Sequence, residues 1–222
     1  MIRRFRGSAA EFHGRTIGDD PALEIWVFDV ERPALVLGST QRPDIVDAEA
    51  CRRAGVEVVR RRSGGGLVLL ERGNVVWFDV VVPAAQLHEV GMGDDIRASM
   101  IWLGDAVAAA LGALEVPDVT VHRDGLTACS AWCPLVCFAG IGAGEIVVDG
   151  RKLVGISQRR TRAGARFQCA VHSRWSPEAL IALLAGDLPS GDPGPVATLA
   201  PDTAVALPDA VAAALEGASP MR

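Results

Sequence analysis

Segment 60–66, RRRSGGG, joins three arginines and a serine to three consecutive glycines at the junction of two predicted strands. Three glycines weaken a strand, so either the backbone needs conformations closed to other residues or a ligand lies against it. Guanidinium groups and exposed backbone N–H groups together bind phosphate or carboxylate. The Gly-Lys-Ser/Thr ending and following helix of a Walker loop are absent. A flexible hairpin with solvated arginines is the alternative, and these residues alone leave both interpretations open.

Lys152 is the only lysine in a chain that has 21 arginines. Where a plain positive charge suffices this sequence uses arginine, so a single lysine indicates a need for the compact ammonium or for its ability to lose a proton. Chance retention in an arginine-biased sequence is the alternative. Asp149-Gly150 predicts a turn that places Lys152 at the start of a strand, from where its ammonium can reach a ligand lying across the sheet. Gly155 in that strand indicates close backbone approach.

Thiols are the other candidate nucleophiles of this chain. A spacing of four residues separates Cys129, Cys133 and Cys137, but it lacks the CxxC knuckle of structural zinc sites, and only His122 is available as a further ligand. The pattern therefore predicts no metal. Cys51 reads as a packing residue, and Cys169 as either a buried small residue or a second nucleophile.

The elements that must position these residues read as runs of strands with helices between them. This order predicts an α+β fold with a mostly antiparallel mixed sheet and flanking helices. The interruption Glu31-Arg32-Pro33 predicts a hairpin between the first two strands. We expect a helix over 44–54 that ends at Gly55, a long helix over 94–114 that Asp94 or Asp95 opens, a short helix from 176 and a last helix near 208–215. We expect strands at 22–30, 34–39, 56–61, 67–70, 75–82, 119–122, 136–139, 145–148, 152–158 and 166–171.

The composition is that of a soluble globular protein: 222 residues, 50% hydrophobic, 22% charged, with a formal net charge of −5. There is no basic excess to drive nucleic-acid binding. The N-terminus lacks the apolar core of a secretory signal, and the longest apolar stretch, around 106–114, is too short to cross a bilayer. An odd number of cysteines without an export signal favours free thiols. We therefore expect a cytoplasmic protein without nucleic-acid or membrane partners.

Four segments resemble motifs of one family, in that family's order. RRRSGGGLVLLERGN resembles the lipoate-ligase motif RRxSGGGxVxHxxGN, and DGRKLVGISQRR resembles its downstream motif G(R/K)K(I/L)xGxxQ. ALVLGSTQ resembles the upstream LGxxQ strand, and GARFQCAVH lies where ligases carry a strand ending in His-Gly. The similarity covers roughly residues 22–175. The chain thus resembles the lipoate–protein ligase and octanoyltransferase family.

This resemblance implies a fold and a set of site residues. The fold would be the α+β catalytic domain of class II synthetases and biotin–lipoate ligases, over 1–187. Residues 188–222, rich in Pro, Gly and Ala, would form a terminal segment with a possible short helix packed on the same domain. Lys152 would contact the carbonyl and phosphate oxygens of an acyl-adenylate, or the oxyanion during transfer. The acyl chain and its activated carboxyl end would be lined by Arg61, Ser63, Gly64, Gly65 and Gly66. Gly38 and Gln41 would lie on the opposing strand. Gly155 and Gln158 would shape the same pocket.

Two positions depart from the family pattern. The histidine that follows the glycine triplet is Leu70 here, and the later His-Gly is Cys169-Ala170, with His172 two residues on. Any role of the first imidazole is therefore lost or has moved to another histidine.

Three functions remain open on this basis. The sequence of the motifs slightly favours a lipoate–protein ligase, which would use ATP and magnesium to transfer lipoate or octanoate through an acyl-adenylate. Cys137-Phe138, fifteen residues before Lys152, instead resembles the Cys-Phe of one class of octanoyltransferases, in which the cysteine carries the acyl group and no ATP is needed. A non-catalytic relative that binds a lipoyl group or acyl-adenylate is the third.

The partners implied by the resemblance are proteins. The acceptor would be the lipoyl domain of a 2-oxoacid dehydrogenase or the glycine cleavage carrier protein. An acyl carrier protein or a separate accessory domain would be further partners, and no cofactor would be tightly bound.

Overall fold

Twelve strands and six helices make up a computed structural model of the protein, which describes residues 1–217. The strands are β1 Ile2–Gly7, β2 Glu24–Val30, β3 Ala34–Leu37, β4 Glu57–Arg60, β5 Val68–Leu70, β6 Val75–Pro83, β7 Thr120–Val121, β8 Thr127–Ala128, β9 Gly140–Ile141, β10 Ile146–Val148, β11 Arg151–Arg160 and β12 Gly164–His172. The helices are α1 Ala9–Gly14, α2 Ala48–Ala54, α3 Ala84–Glu89, α4 Ile96–Ala113, α5 Pro177–Ile181 and α6 Pro201–Gly217.

A seven-stranded sheet forms the centre of the molecule, in the order β1-β2-β6-β12-β11-β10-β7. All its neighbours are antiparallel except the parallel pair β1–β2. A smaller sheet has the order β4-β3-β5, and a short ribbon pairs β8 with β9. The predicted α+β class with a mostly antiparallel sheet is therefore confirmed.

The large sheet is covered on both faces. The long helices α4 and α6 bury residues such as Leu103, Val107, Leu207 and Val211 in one core with the sheet. α1 and the small sheet contribute to a second core on Phe28 and its neighbours. The terminal segment from residue 188 onward thus adds a helix to the main core, and residues 218–222 of that segment lie outside the described residues.

By length and composition α4 could cross a membrane, a criterion that core helices of soluble proteins also meet. Its capping follows the sequence expectation, because the Asp95 side chain accepts a hydrogen bond from Ala98 N at 2.9 Å.

The expected hairpin between the first two strands is wrong. β2 pairs with β1 and β6 in the large sheet, whereas β3 pairs with β4 and β5 in the small sheet. All four residues of β3 are buried, as in a central strand covered on both faces, and Pro33 precedes the point where the chain changes sheets. The interruption read as a turn is therefore a crossover between sheets.

Three further elements differ from expectation. Residues 137–139 form a 3-10 turn, Cys137–Ala139, rather than a strand, because Val136 N already bonds back to Trp132 O at 2.8 Å. The helix expected from Asp44 begins after Asp47, whose side chain caps Ala50 N. The last helix begins at Pro201, seven residues early, and includes Pro208.

A buried ion pair fastens the N-terminal helix to the sheet. Asp79 on β6 and Arg166 on β12 are almost fully buried and bonded to each other. Trp77 Nε1 donates to the other Asp79 oxygen at 2.8 Å, and Arg166 donates to the carbonyl oxygen of Phe12 in α1 at 2.8 Å. A buried carboxylate is stabilised only while its partners remain in place.

Replacing Arg166 with methionine should therefore lower the free energy of unfolding by about 3–5 kcal/mol, because Asp79 is left as an uncompensated buried charge. The double variant Arg166→Met/Asp79→Asn should lose less than Arg166→Met alone. Urea unfolding of the unchanged protein, of the single variants Arg166→Met and Asp79→Asn, and of the double variant measures both effects. A double variant as unstable as the sum of its two single changes would show that the pair is not coupled.

Candidate functional site

A largely apolar cavity lies between the small sheet and one face of the large sheet. About 420 Å³ of space free of protein atoms lies in the cavity and its solvent-open mouth together. Strands of both sheets supply its walls, and α1 and the 3-10 turn at Cys137 close it. The lining consists of His13, Val36, Arg61, Val68, Leu70, Trp77, Cys137, Phe138, Gly155, Ile156, Ser157, Gln168, Cys169 and Ala170.

Lys152 lies at the Cys137 end of this cavity, and only 3% of the residue is exposed. Its Nζ is 2.7 Å from Glu145 Oε1 and donates to the carbonyl oxygens of Cys137 at 2.9 Å and Gly140 at 3.2 Å. Burial by itself lowers the pKa of Lys152, but its interactions with Cys137 and with the Glu145 carboxylate outweigh burial and hold this pKa above its ordinary value. The ammonium therefore stays charged.

Both carboxylate oxygens of Glu145 accept hydrogen bonds from the backbone. Its Oε2 accepts from Gly142 N at 2.6 Å and its Oε1 from Ile156 N at 3.1 Å. The pair thus meets the requirement for burying two opposite charges, which is that hydrogen bonds replace the lost water.

The half-buried thiol of Cys137 points toward this ammonium, with Sγ 3.7 Å from Lys152 Nζ. The Cys137 N–H donates to Leu67 O at 3.0 Å, directly after the glycine triplet. A Cβ added to Gly66 would lie 2.6 Å from Cys137 N, so only glycine lets the two segments approach this closely. The triplet therefore positions the thiol.

The other glycines of the motif serve the same close packing. A Cβ on Gly38 would lie 1.8 Å from Gly65 O, and Gly65 has φ +94°, which favours glycine. The buried Arg61 side chain donates to Gly64 O at 2.8 Å and Gly66 O at 2.7 Å and so fixes the loop. The backbone interpretation of the triplet is therefore the one that the structure supports.

The predicted site residues divide into two groups. Arg61, Cys137 and Gly155 line the cavity, and Lys152 adjoins Cys137. Ser63 lies behind the wall, with its Oγ 3.0 Å from Ser157 Oγ and donating to Gln168 Oε1 at 2.7 Å.

Two glutamines do not shape the cavity as expected. Gln158 alternates with Ser157 along β11, so its side chain faces α4, where it donates to Ser99 Oγ at 3.0 Å. Gln41 accepts from Gly38 N at 3.0 Å and donates to Leu135 O at 2.8 Å. It therefore ties together two loops outside the wall, and Gly38 and the glycine triplet act through backbone packing.

His13 is a cavity residue that the sequence reasoning missed. Its Nδ1 is 3.0 Å from Gln168 Nε2 and its ring stacks on Trp77 at 4.3 Å between centroids. Burial, with the positive charges of Arg166 and Arg61, lowers the pKa of His13 to about 3. A capping box signals the helix that carries it, since the Ser8 side chain accepts from the N–H of Glu11.

The structure shows where the residues that depart from the family pattern lie. Leu70 extends the apolar wall. Cys169 is fully buried, and burial, followed by the charges of Asp79 and Glu145, raises the pKa of its thiol well above the usual value, which argues against a nucleophile. His172 packs edge-on against Phe138 at 4.5 Å, outside the lining.

Within residues 1–217 no group of three or more His, Cys, Asp or Glu side chains is arranged to hold a metal ion. The site instead combines an apolar cavity with a thiol beside a buried ammonium, an arrangement suited to holding an acyl chain by its reactive carbonyl.

This fold and site define an acyl-binding catalytic domain. The chain belongs to the family described as the lipoyl protein ligase A/B catalytic domain, which matches residues 11–208.

Two curated relatives are enzymes of octanoyl transfer. The chain is 30% identical over 167 residues to octanoyltransferase LipM of Kyrpidia tusciae, covering 74% of this chain and 58% of the relative. It is 29% identical over 153 residues to octanoyl-[GcvH]:protein N-octanoyltransferase of Geobacillus kaustophilus, covering 67% of this chain and 46% of that relative. The chain thus spans about half the length of these relatives. The names of these relatives favour an octanoyltransferase, whereas the sequence motifs alone slightly favoured a ligase.

The fold is also that of a solved ligase. A putative lipoate protein ligase of T. acidophilum with bound lipoic acid superposes with a TM-score of 0.67 at 17% identity, covering 97% of this chain and 85% of that one. This similarity establishes the fold.

The role assigned to the glycine triplet can be tested by adding single methyl groups. Gly66→Ala should lower the free energy of unfolding by about 1–3 kcal/mol, because its Cβ meets the backbone of Val136 and Cys137. Gly64→Ala is the matched control, since its Cβ would meet nothing within 4 Å. Urea unfolding compares the two variants, and equal losses would contradict the packing role of Gly66.

Buried His13 should make stability depend on pH. The unfolded chain takes up a proton at this histidine below about pH 6.5, whereas the folded protein does so only near pH 3. Between these two pH values His13 should therefore lower the free energy of unfolding by about 1.4 kcal/mol for each pH unit of acidification.

His13→Gln should reduce the slope of unfolding free energy against pH by that amount between about pH 5.5 and about pH 4.5. The exposed His88→Gln is the control. An unchanged slope in His13→Gln would mean that His13 is protonated alike in both states.

Proposed function

We propose that the chain is an octanoyltransferase that carries the octanoyl group on Cys137 and passes it to a lysine of a lipoyl carrier domain. The observation that carries this proposal is the 3.7 Å between Cys137 Sγ and Lys152 Nζ at the end of the apolar cavity. The names of the curated relatives support the same reaction class.

In the first step the Cys137 thiolate attacks the carbonyl carbon of an octanoyl thioester. A carbon–sulfur bond forms and the carbonyl electron pair moves to oxygen. The buried ammonium of Lys152 supplies fixed positive charge beside both the thiolate and this oxyanion, in a site from which water is largely excluded. The donor's carbon–sulfur bond then breaks, and its thiolate leaves and takes a proton from solvent.

In the second step the neutral amine of the acceptor lysine attacks the Cys137 thioester. A carbon–nitrogen bond forms, the bond to Sγ breaks, and the amine proton passes to solvent. No ATP is consumed, because a thioester is already activated toward amines. The cavity holds the eight-carbon chain through both steps, with Leu70 and Trp77 in its apolar wall.

A ligase would require Lys152 to bind the phosphate of an acyl-adenylate. Its ammonium has three N–H groups, and Glu145 and the carbonyl oxygens of Cys137 and Gly140 already accept from it. Contact with a phosphate would break one of these buried bonds. From its present position Lys152 can instead act on the Cys137 sulfur as a fixed positive charge 3.7 Å away, without giving up any of these bonds.

The proposal is tested by intact mass spectrometry of this protein and of an apo lipoyl domain. With octanoyl-carrier protein and no ATP, we expect one octanoyl group on this protein and then on the lipoyl domain. With octanoate, ATP and magnesium we expect no modification. Cys137→Ser should lower the transfer rate on the order of a thousandfold or more, because the nucleophile is removed.

Cys129→Ser is the matched control, because this exposed cysteine lies in the same segment. It should retain the transfer rate of the unchanged protein. Modification only in the ATP reaction would overturn the proposal in favour of a ligase. If octanoate binds but neither reaction modifies a protein, the hypothesis of a non-catalytic acyl-binding relative would replace the proposal.

A further inference from the structure

A second pocket, which we call the arginine pocket, is lined by Arg15, Arg62, Arg159 and Arg166 together with two threonines and an isoleucine. No acidic side chain is part of this lining. Four guanidinium groups around one concave surface repel one another and concentrate positive potential there. Asp79 pairs with Arg166 and Glu11 lies 3.9 Å from Arg15, but within residues 1–217 Arg62 and Arg159 have no acidic partner, although the chain has a net charge of −5.

Three of these arginines have hydrogen-bonding capacity to spare. Within residues 1–217, neither Arg62 nor Arg159 forms a side-chain hydrogen bond or an ion pair. Arg15 Nε is buried with no hydrogen-bond partner in the same range, and its ion pair with Glu11 is long, at 3.9 Å. Arg166 differs, because Asp79 and two backbone carbonyl oxygens already bind it. An anion could therefore accept from Arg15, Arg62 and Arg159 without breaking existing bonds.

The strand register strengthens this conclusion. Arg159 on β11 lies directly opposite Arg166 on β12. Like charges directly opposite each other across a pair of strands are destabilising. Asp79 compensates Arg166, so Arg159 is the arginine of this pair whose charge a bound anion would neutralise.

The arginine pocket continues the acyl cavity along the same face of the sheet. Ser157 and Gln168 line the cavity, and Arg159 and Arg166 line the arginine pocket two residues further along the same strands. Two residues of a strand span about 7 Å. Gly155, next to the Lys152 side chain, is four residues from Arg159, or about 13 Å. An anion in the pocket would thus be about that far from the reacting carbonyl. For the arm to run along the strands to the arginines, the octanoyl tail must run across the sheet, from Gly155 over Ala170 toward Trp77 and Leu70.

We propose that the arginine pocket binds the phosphate of a phosphopantetheine arm whose octanoyl group occupies the cavity. This inference rests on the proposed function, since it describes the donor of that reaction. A phosphate is the anion that arginine forks bind through paired hydrogen bonds, and the arm joins it to the thioester by an extended chain. Carrier proteins and coenzyme A share this phosphate and arm. Binding is non-covalent and leaves the chemistry at Cys137 unchanged.

The test compares two soluble donors, octanoyl-phosphopantetheine and octanoyl-pantetheine, which differ only in the phosphate. The readout is kcat/KM for acylation of Cys137, measured by intact mass. We expect the phosphorylated donor to be preferred by at least about tenfold. In the double variant Arg62→Gln/Arg159→Gln the ratio between the two donors should fall toward one.

Arg52→Gln/Arg53→Gln is the charge-matched control, because it also removes two exposed arginines, which lie on α2 and pair with Glu49. The control should keep the donor preference. Octanoyl-carrier protein and octanoyl-coenzyme A, run with the same variants, distinguish the two sources of the arm. Loss of rate with the carrier protein alone would mean that the arginines contact its surface and not the phosphate, which would overturn the inference.

The remaining outcomes separate this inference from the proposed function. Equal rates with both soluble donors, or a preference that persists in the double variant, would overturn the phosphate site while leaving the transferase intact. Acylation by neither thioester, but transfer from an octanoylated lipoyl domain, would also overturn it, because that donor carries no phosphate. No acylation of Cys137 by any donor would reject the proposed function itself.

Discussion

The buried ion pair between Lys152 and Glu145 is the constraint on which the site depends. Removing two charges from water costs several kcal/mol for each ion, and attraction recovers this cost only if hydrogen bonds satisfy both groups. The backbone groups that do so come from Cys137, Gly140, Gly142 and Ile156. The turn that carries the thiol and the strand that forms the cavity wall are therefore held in place by the same charges that the chemistry uses.

Glycine makes this arrangement possible by allowing backbones to approach. The small sheet carries the arginine and glycine motif, and the large sheet carries the lysine motif. Gly66 lets the chain after the small sheet meet the turn at Cys137, and Gly155 leaves room for the side chains of Lys152 and Phe138, whose atoms a Cβ would meet at 3.1 and 3.2 Å. Two motifs about ninety residues apart in the sequence thus form one site, because each has a glycine where the segment around Cys137 and Phe138 packs against it.

The sequence predicted local structure better than it predicted strand pairing. Asp95 and Gly55 mark helix ends with their own side chain or backbone conformation, so these boundaries could be read directly. The separation of β2 and β3 into different sheets could not, because it depends on pairing with distant strands. The position of Cys137 beside Lys152 was predicted only through the family resemblance. His13 and the arginine pocket were missed, since only the register of β11 on β12 and the packing of α1 bring these residues together.

The loss of the family histidine at position 70 becomes intelligible once both sheets are placed. Leu70 faces a cavity whose opposite wall is formed by β6, β11 and β12, and there it extends an apolar surface suited to a saturated chain. The cavity keeps one imidazole, but it comes from α1, stacked on Trp77 and held neutral by burial. A neutral ring bonded to Gln168 can accept or donate a hydrogen bond without adding charge near the acyl chain. Apart from Arg61, whose side chain is bonded to the glycine loop, positive charge lies at Lys152 at the reacting end and in the arginine pocket further along the strands. This arrangement favours a ligand with an apolar tail, a reactive carbonyl and a distant anionic group.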